Sequence, residues 1–222
     1  MDLDTHQPKL SFRWLGRLPY EEGLQLQHEM AEQRRRGTIG DTVVLLEHEP
    51  VYTIGRTPDK SSLTARSSTG AAGLPHPVVE VSRGGQATYH GPGQLVGYPV
   101  LDLQQHGRDL HRYLRTLETA LIALCAEFNV AAGPRDGMTG VWVGPRKLAS
   151  IGVGVRHWIS LHGFAINITR QSLAGFDAIV PCGLNGVTMT CLATEAGNDD
   201  LTVAEAATRV QIPLAAALSG LH

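Results

Sequence analysis

Apolar positions recur along the chain in two rhythms, and these lay out most of its elements. Leu110, Tyr113, Leu114, Leu117, Leu121, Leu124 and Phe128 return every three or four residues, which is one face of a helix that Asp109 starts. A second helix is predicted from Pro19, with Glu21 and Glu22 in its first turn. It carries Leu24, Gln27, His28 and Ala31 and closes at Arg34-Arg35-Arg36 and Gly37, the arginines being read as a solvated end that offsets the helix dipole. A last helix opens on Thr202-Val203-Ala204-Glu205, a capping-box pattern, and runs through an alanine-rich stretch that Pro213 kinks.

The other rhythm is that of strands. Short β-branched and apolar runs stand at Val43 to Leu46, Val51 to Ile54, Val78 to Val81, Leu95 to Leu103, Val141 to Val143, Leu148 to Val155 and Ile159 to Ile168. Glu47-His48-Glu49-Pro50 is read as a surface turn, in which His48 between two carboxylates resembles a metal site only superficially. From Thr57 to Pro77, Ser, Thr, Ala, Gly and Pro dominate with no apolar period, so a long mobile loop is expected. Strands in blocks with few intervening helices give an α+β fold class, and nothing in the composition divides residues 1–222 into two domains.

Composition narrows the function. Of 222 residues 42% are hydrophobic and 18% charged, enough of the first to build a core and too few of the second for a disordered chain. The 19 basic and 21 acidic residues cancel to −2, so no global pull toward nucleic acid or an anionic membrane operates. Apolar runs fall short of the roughly 20 residues of a membrane span, and Met1-Asp2-Leu3-Asp4 is acidic where a signal peptide is basic, so a cytoplasmic protein is expected. Cys125, Cys182 and Cys191 lack C-x-x-C spacing, which argues against a disulfide framework and a structural zinc site, and no metal is expected. Cys125 beside the helix stripe reads as core, whereas Cys191 falls in a strand expected within Val187 to Leu192.

Three segments carry chemistry. Arg83-Gly84-Gly85-Gln86-Ala87-Thr88-Tyr89-His90-Gly91-Pro92-Gly93-Gln94 combines a backbone that admits close approach with hydrogen-bonding side chains, yet is neither a Walker loop nor a dinucleotide fingerprint. Lys147 begins the apolar run Leu148 to Val153; it is either an exposed strand end or an inward amine, where lost hydration favours the neutral base. Cys182, between Pro181 and Gly183, is either a nucleophile at an exposed turn or incidental. His90 and His162 are each structural or catalytic, and His could replace Lys147 as base to a cysteine. No G-x-S-x-G elbow occurs, which removes the commonest hydrolase reading.

Taken together, Arg83-Gly84-Gly85-x-x-Thr88-Tyr89-His90-x-x-Gly93-Gln94-x-x-x-Tyr98, Lys147-Leu148-Ala149-Ser150-Ile151-Gly152, His162-Gly163-Phe164-Ala165-x-Asn167 and Pro181-Cys182-Gly183 resemble the lipoyl(octanoyl) transferases. Glu47-His48-x-Pro50-Val51-Tyr52-Thr53-x-Gly55-Arg56 matches the same family, and the resemblance runs over roughly residues 10 to 195. It departs at Thr188-Met189-Thr190-Cys191-Leu192, where the family more often has a Val-Thr-Ser-Leu-like run. The resemblance implies mixed sheets with packed helices, like the catalytic domain of biotin and lipoate protein ligases. It implies Cys182 as the acyl-thioester nucleophile and Lys147 as the group that eases its ionisation. Substrate would be bound by Arg83, Gly84, Gly85, Gln86, Ala87, Thr88, Tyr89 and His90, with Ser150, Ile151, Gly152, Gly163, Phe164 and Ala165; Tyr89, Ile151 and Phe164 are candidate walls for an acyl tail.

The implied reaction moves an octanoyl group from acyl carrier protein to a lysine of a lipoyl domain, the first step of endogenous protein lipoylation. No cofactor is implied, because the donor arrives on the phosphopantetheine of the carrier. Lipoyl domains of 2-oxoacid dehydrogenase complexes and the glycine cleavage H protein are the implied acceptors, served by a monomer. The alternatives are an ATP-dependent lipoate or octanoate ligase, an amidotransferase between lipoyl domains, and a non-catalytic module that binds acyl groups or carrier proteins.

Overall fold

The computed structural model describes residues 10–57, 62, 73–180 and 187–221, so Cys182 and most of the loop expected over 57–77 lie outside the described residues. The first element is β1 (Ser11–Leu18), absent from the sequence reading, and it pairs in parallel with β2 (Thr42–His48). Between them α1 (Tyr20–Arg35) opens after Pro19 with Glu21 and Glu22 in its first turn, as the sequence predicts.

Strands β3 (Val51–Ile54) and β5 (Ala87–His90) form one antiparallel ribbon, and β2 with β6 (Gln94–Val100) forms another. Because β2 runs on into β3 and β5 into β6, the two ribbons are one pair of chains that changes sheet at Glu49-Pro50 and Gly91-Pro92-Gly93. The Gly93 N–H donates to Glu47 Oε2 at 2.7 Å across that corner. One ribbon ends in a small sheet, ordered β4-β3-β5, where β4 (Val78–Glu80) pairs in parallel with β3.

The other ribbon belongs to a large mixed sheet ordered β1-β2-β6-β10-β9-β8-β7. Its remaining strands are β7 (Gly133–Arg135), β8 (Met138–Val143), β9 (Arg146–Arg156) and β10 (Ile159–Asn167), and β11 (Thr188–Met189) pairs in parallel with β9. Helix α1 covers one face, its Met30 packed on Val44, Leu46, Val96, Val100 and Ala165. The long α2 (Leu110–Glu127), capped by Asp109 accepting from the Arg112 N–H, covers the other face with Leu117, Leu121 and Leu124. There it is joined by α3 (Leu192–Ala196), α4 (Val203–Arg209) and α5 (Gln211–Ser219). Thr202 caps α4 as its box pattern predicts, and Pro213 sits in the first turn of α5, where its missing N–H costs nothing. None of the described helices is long and apolar enough to cross a membrane.

One residue of the helix end departs from expectation. Arg34 is not a solvated helix end: it is buried, with Nε 2.7 Å from Asp41 Oδ1 and Nη2 donating to Gln105 at 3.0 Å. Its partner lies in the turn after α1, a counter-charge that helix-end composition does not reveal. Asp41 also receives His106 Nε2 at 2.6 Å and the Asp102 N–H at 3.1 Å, and His106 Nδ1 meets the Leu221 carbonyl at 3.0 Å. With an acceptor on each nitrogen, the ring can donate from both when protonated, and it ties the end of α5 to the α1 corner.

Burial alone would raise the Asp41 carboxyl, but hydrogen bonds from His106, Arg34 and Asp102 outweigh it and hold it below the usual range. The bond to Asp41 raises His106 against the opposing effect of burial. The His106 contribution is therefore complete below its unfolded value of about 6.5 and is lost as pH rises through the raised folded value. The Asp41 contribution is complete above about 3.9 and is lost as pH falls through its lowered value. His106→Gln should cost about 2 kcal/mol in urea unfolding at pH 5, with the gap to wild type narrowing by pH 8.5. An equal gap at both pH values would contradict the ion pair.

Candidate active site

Where the ribbon changes sheet, the small sheet and the α1 face of the large sheet leave a cleft of about 60 Å³. It is lined by Arg83, Gly84, Gly85, Gln86, Thr88, His90, Ser150, Ile151, Gly152, Gly163, Phe164 and Ala165, twelve positions singled out in the sequence. Ala87 and Tyr89 are not among the lining residues. Strand β5 alternates sides, so Thr88 and His90 enter the cleft while Ala87 and Tyr89 pack with Tyr52, Ile54, Phe176 and Ile179. Tyr89 is therefore no wall of this cleft, whereas Ile151 and Phe164 are. Gly97 lies opposite Phe164 in the β6–β10 register, and any Cβ there would enter the Phe164 ring.

Tyr20, Val96, Tyr98 and His162 complete the lining. Tyr98 and His162 stand inside recognisable motifs and were legible in that sense. Tyr20 is a lone aromatic at a helix start and carries no sequence signal.

Arg83 holds the Gly-rich segment in place. Its Nη1 donates to the carbonyls of Gly84 and Gln86, both at 3.0 Å, and its Nη2 to Thr53 O at 3.1 Å and Thr53 Oγ1 at 2.8 Å. The Gly84 N–H continues the edge of β9 by donating to Val153 O at 3.0 Å.

The histidines around the cleft are neutral. Burial pushes His48 down to about 4 and His162 down to about 4, and burial with the nearby His48 and Arg83 takes His90 down to about 3. His48 corrects the expected surface turn: it is fully buried, because β2 continues through it. Its Nδ1 donates to the Leu18 carbonyl at 3.2 Å, so Nε2 accepts from the Tyr98 hydroxyl at 2.6 Å. Gln86 Oε1, Thr88 Oγ1, Ser150 Oγ and His162 Nε2 are buried with no hydrogen-bond partner among the described residues. All four belong to the cleft lining, which leaves it hydrogen-bonding capacity for a ligand.

Of the two readings of Lys147, the structure has the inward one. The side chain is 3% exposed, and its Nζ stands 5.3 Å from the centre of the Trp142 ring. It lines a second cavity of about 350 Å³ with Leu110, Leu114, Met138, Ile151 and Val153, and Gly84, Gly85, Ile151 and Gly152 border both cavities. Thr188 and Met189 pair with Arg146 and Lys147, and the Thr190 N–H donates to Lys147 O at 2.9 Å. The chain that leaves this pairing toward its N-terminus reaches Cys182 six residues before Thr188.

Cys125 is fully buried, and burial pushes its thiol up to about 12, as a core residue requires. Cys191 is also buried, but it precedes α3 at the cap position, and the strand expected over 187–192 shortens to Thr188–Met189. Among the described residues no group of three or more His, Cys, Asp or Glu could hold a metal ion.

Comparison with known proteins places this architecture. The lipoyl protein ligase A/B catalytic domain matches residues 19–213. This chain belongs to that family. An octanoyltransferase of Geobacter metallireducens is 50% identical over 188 residues, covering 85% of this chain and 84% of that protein. One of Geobacter sulfurreducens is 49% identical over 201 residues, covering 90% and 81%. Among solved structures, lipoate-protein ligase A bound with ATP superposes with a TM-score of 0.68 at 17% identity, covering 94% of this chain and 86% of that one. Biotin protein ligase from Aquifex aeolicus, in complex with biotin and ATP, gives 0.59 at 13% identity over 94% and 70%. At these identities the likeness is one of fold, and it agrees with the α+β expectation.

In this member of the family, a Cβ on Gly55 would strike the carbonyl oxygens of Gly85 and Arg83, backbone atoms that cannot swing aside. Gly55→Ala should therefore lose about 2 kcal/mol in urea unfolding, within the usual range for overpacking. A midpoint equal to wild type would show that the Arg83 to Gly85 segment is not seated on Gly55.

Proposed function

We propose that this chain is an octanoyltransferase that takes the acyl group from octanoyl-acyl carrier protein, carries it as a thioester on Cys182, and delivers it to a lysine amine of lipoyl domains. Membership of the family and the high identity to octanoyltransferases over most of both chains support the activity. The observation that carries the mechanism is Lys147, buried in β9 and bordered by the strand that leads back to Cys182.

In this reading Lys147 takes the thiol proton, and the thiolate attacks the donor thioester. The S–acyl bond to the carrier breaks, the carrier thiol leaves with a proton, and the acyl group rests on Cys182. The acceptor amine then attacks that thioester, an amide forms, and the thiol is restored. A thioester is already activated and an amide is the more stable product, so the balance closes without ATP. Backbone N–H groups of the Gly-rich segments stabilise the oxyanion, and one such donor is typically worth about 3 kcal/mol. Val96, Ile151, Phe164 and Ala165 supply apolar surface for the tail, at about 0.8 kcal/mol per buried methylene. The acceptors are the lipoyl domains of 2-oxoacid dehydrogenase complexes and the glycine cleavage H protein, met by a monomer in the cytoplasm.

Octanoyl-acyl carrier protein and an apo lipoyl domain, mixed without ATP, should give octanoylated domain with wild-type protein. Cys182→Ser should abolish turnover, and Lys147→Met should lower it by at least about 100-fold, the usual size of lost acid–base assistance. Transfer by Cys182→Ser at the wild-type rate would exclude the thioester route, and acylation only from free octanoate with ATP would indicate a ligase.

A further inference from the structure

A buried chain of hydrogen bonds runs from the cleft to the strand beside Lys147, and two amides fix its direction from His90 Nδ1 onward. Gln94 Nε2 faces the Tyr89 carbonyl at 3.2 Å and Asn167 Nδ2 faces the Thr190 carbonyl at 2.9 Å, two acceptors that leave neither amide free to flip. Gln94 Nε2 also donates to Asn167 Oδ1 at 2.9 Å, so Gln94 Oε1 is the atom 2.8 Å from His90 Nδ1. That nitrogen must carry the proton. On the other side of the ring, Arg83 donates to Thr53 Oγ1, which leaves the Thr53 hydroxyl hydrogen for His90 Nε2 at 3.4 Å.

We propose that His90 is a positioning residue, locked as the neutral Nδ1–H tautomer in a one-way chain Arg83–Thr53–His90–Gln94–Asn167–Thr190, rather than a proton carrier. The chain sets the backbone of Thr190, and through it β11, against Lys147. This rests on the transferase reading, and it removes His90 as the base that relays the acceptor's proton. Each end of the ring is already engaged, so accepting a proton at Nε2 would require the Thr53 hydroxyl to turn from donor to acceptor while it also accepts from Arg83. The groups facing the ring reinforce this: Tyr20 from α1 stacks at 5.9 Å between centroids, His48 from β2 stands at 6.0 Å, and Arg83 and His162 face it across the same cleft. None of them is a carboxylate that would hold an imidazolium.

The direct test is the ring ¹⁵N spectrum of histidine-labelled protein, with the His90 signals assigned by their loss in His90→Asn. The expected result is a neutral Nδ1–H ring from pH 5.5 to 9, the range over which transfer would be measured. A ring that titrates in that range, or that holds its proton on Nε2, would overturn the proposal. The kinetic arm is single-turnover acylation of Cys182 by octanoyl-acyl carrier protein. His90→Asn keeps a donor where Nδ1 stands; it should retain both limbs of the pH profile and exceed the rate of His90→Ala by about tenfold or more. Asn167→Asp, which sets a carboxylate against the Thr190 carbonyl and does not line the cleft, should slow acylation about tenfold or more with little change in the donor concentration for half-saturation. If Asn167→Asp does not fold, Gln94→Glu supplies the same comparison, since it loses the donor to Asn167. Loss of one pH limb in His90→Asn, or a wild-type acylation rate in Asn167→Asp or Gln94→Glu, would overturn the proposal. Failure of the transferase reading is distinguishable, because it would appear as absence of a Cys182 adduct in the wild-type protein while the ring spectrum stayed as described.

Discussion

The site depends on one close contact, the backbone of Ser82 to Gly85 laid against glycines of two sheets. Gly55 in the small-sheet corner and Gly152 and Gly154 on β9 each present a bare Cα to a carbonyl of that segment. A side chain at Gly154 would come within 2.7 Å of Ser82 O, and one at Gly152 within 3.2 Å of Gly84 O. Only because these positions lack side chains can the segment serve both as the edge partner of β9 and as the wall between the cleft and the Lys147 cavity. Arg83 then spends its guanidinium on carbonyls and a hydroxyl of the same region, so the cation fixes backbone as well as lining the cleft.

Much of this is legible in the sequence. The apolar stripe of α2 has a strong period that burial on one face enforces, and the runs that became β8, β9 and β10 stand out as apolar stretches, β10 being buried along its whole length. The motif glycines also marked the right places. Other features depended on contacts remote in sequence. Strand β1 is an edge strand with mostly exposed and partly exposed residues, Arg13 and Trp14 among them, so it shows no buried period. Strand β5 hides in a segment whose glycines suggest a loop, and its existence follows from register with β3. His48 was misread because Glu-His-Glu-Pro has turn chemistry, while its actual partners, Leu18 and Tyr98, lie thirty and fifty residues away. With β5 not foreseen, the sequence did not show that Tyr89 turns away from the cleft.

Two devices meet at Lys147. Strand β9 supplies the amine, and the parallel β11 brings in the chain that follows Cys182. The hydrogen-bonded row through Gln94 and Asn167 connects that meeting point to the cleft. Such an arrangement fits the proposed reaction, in which the thioester would be activated on arrival and the protein's task would be to hold thiol, amine and acyl carbonyl in register.

The account turns on an acyl group resting covalently on Cys182. The most direct measurement is the intact mass of the protein after incubation with octanoyl-acyl carrier protein in the absence of ATP, followed by peptide mapping. The account predicts a gain of one octanoyl group on the peptide that contains Cys182, discharged when apo lipoyl domain is added. An unmodified Cys182 while the lipoyl domain becomes octanoylated would contradict it.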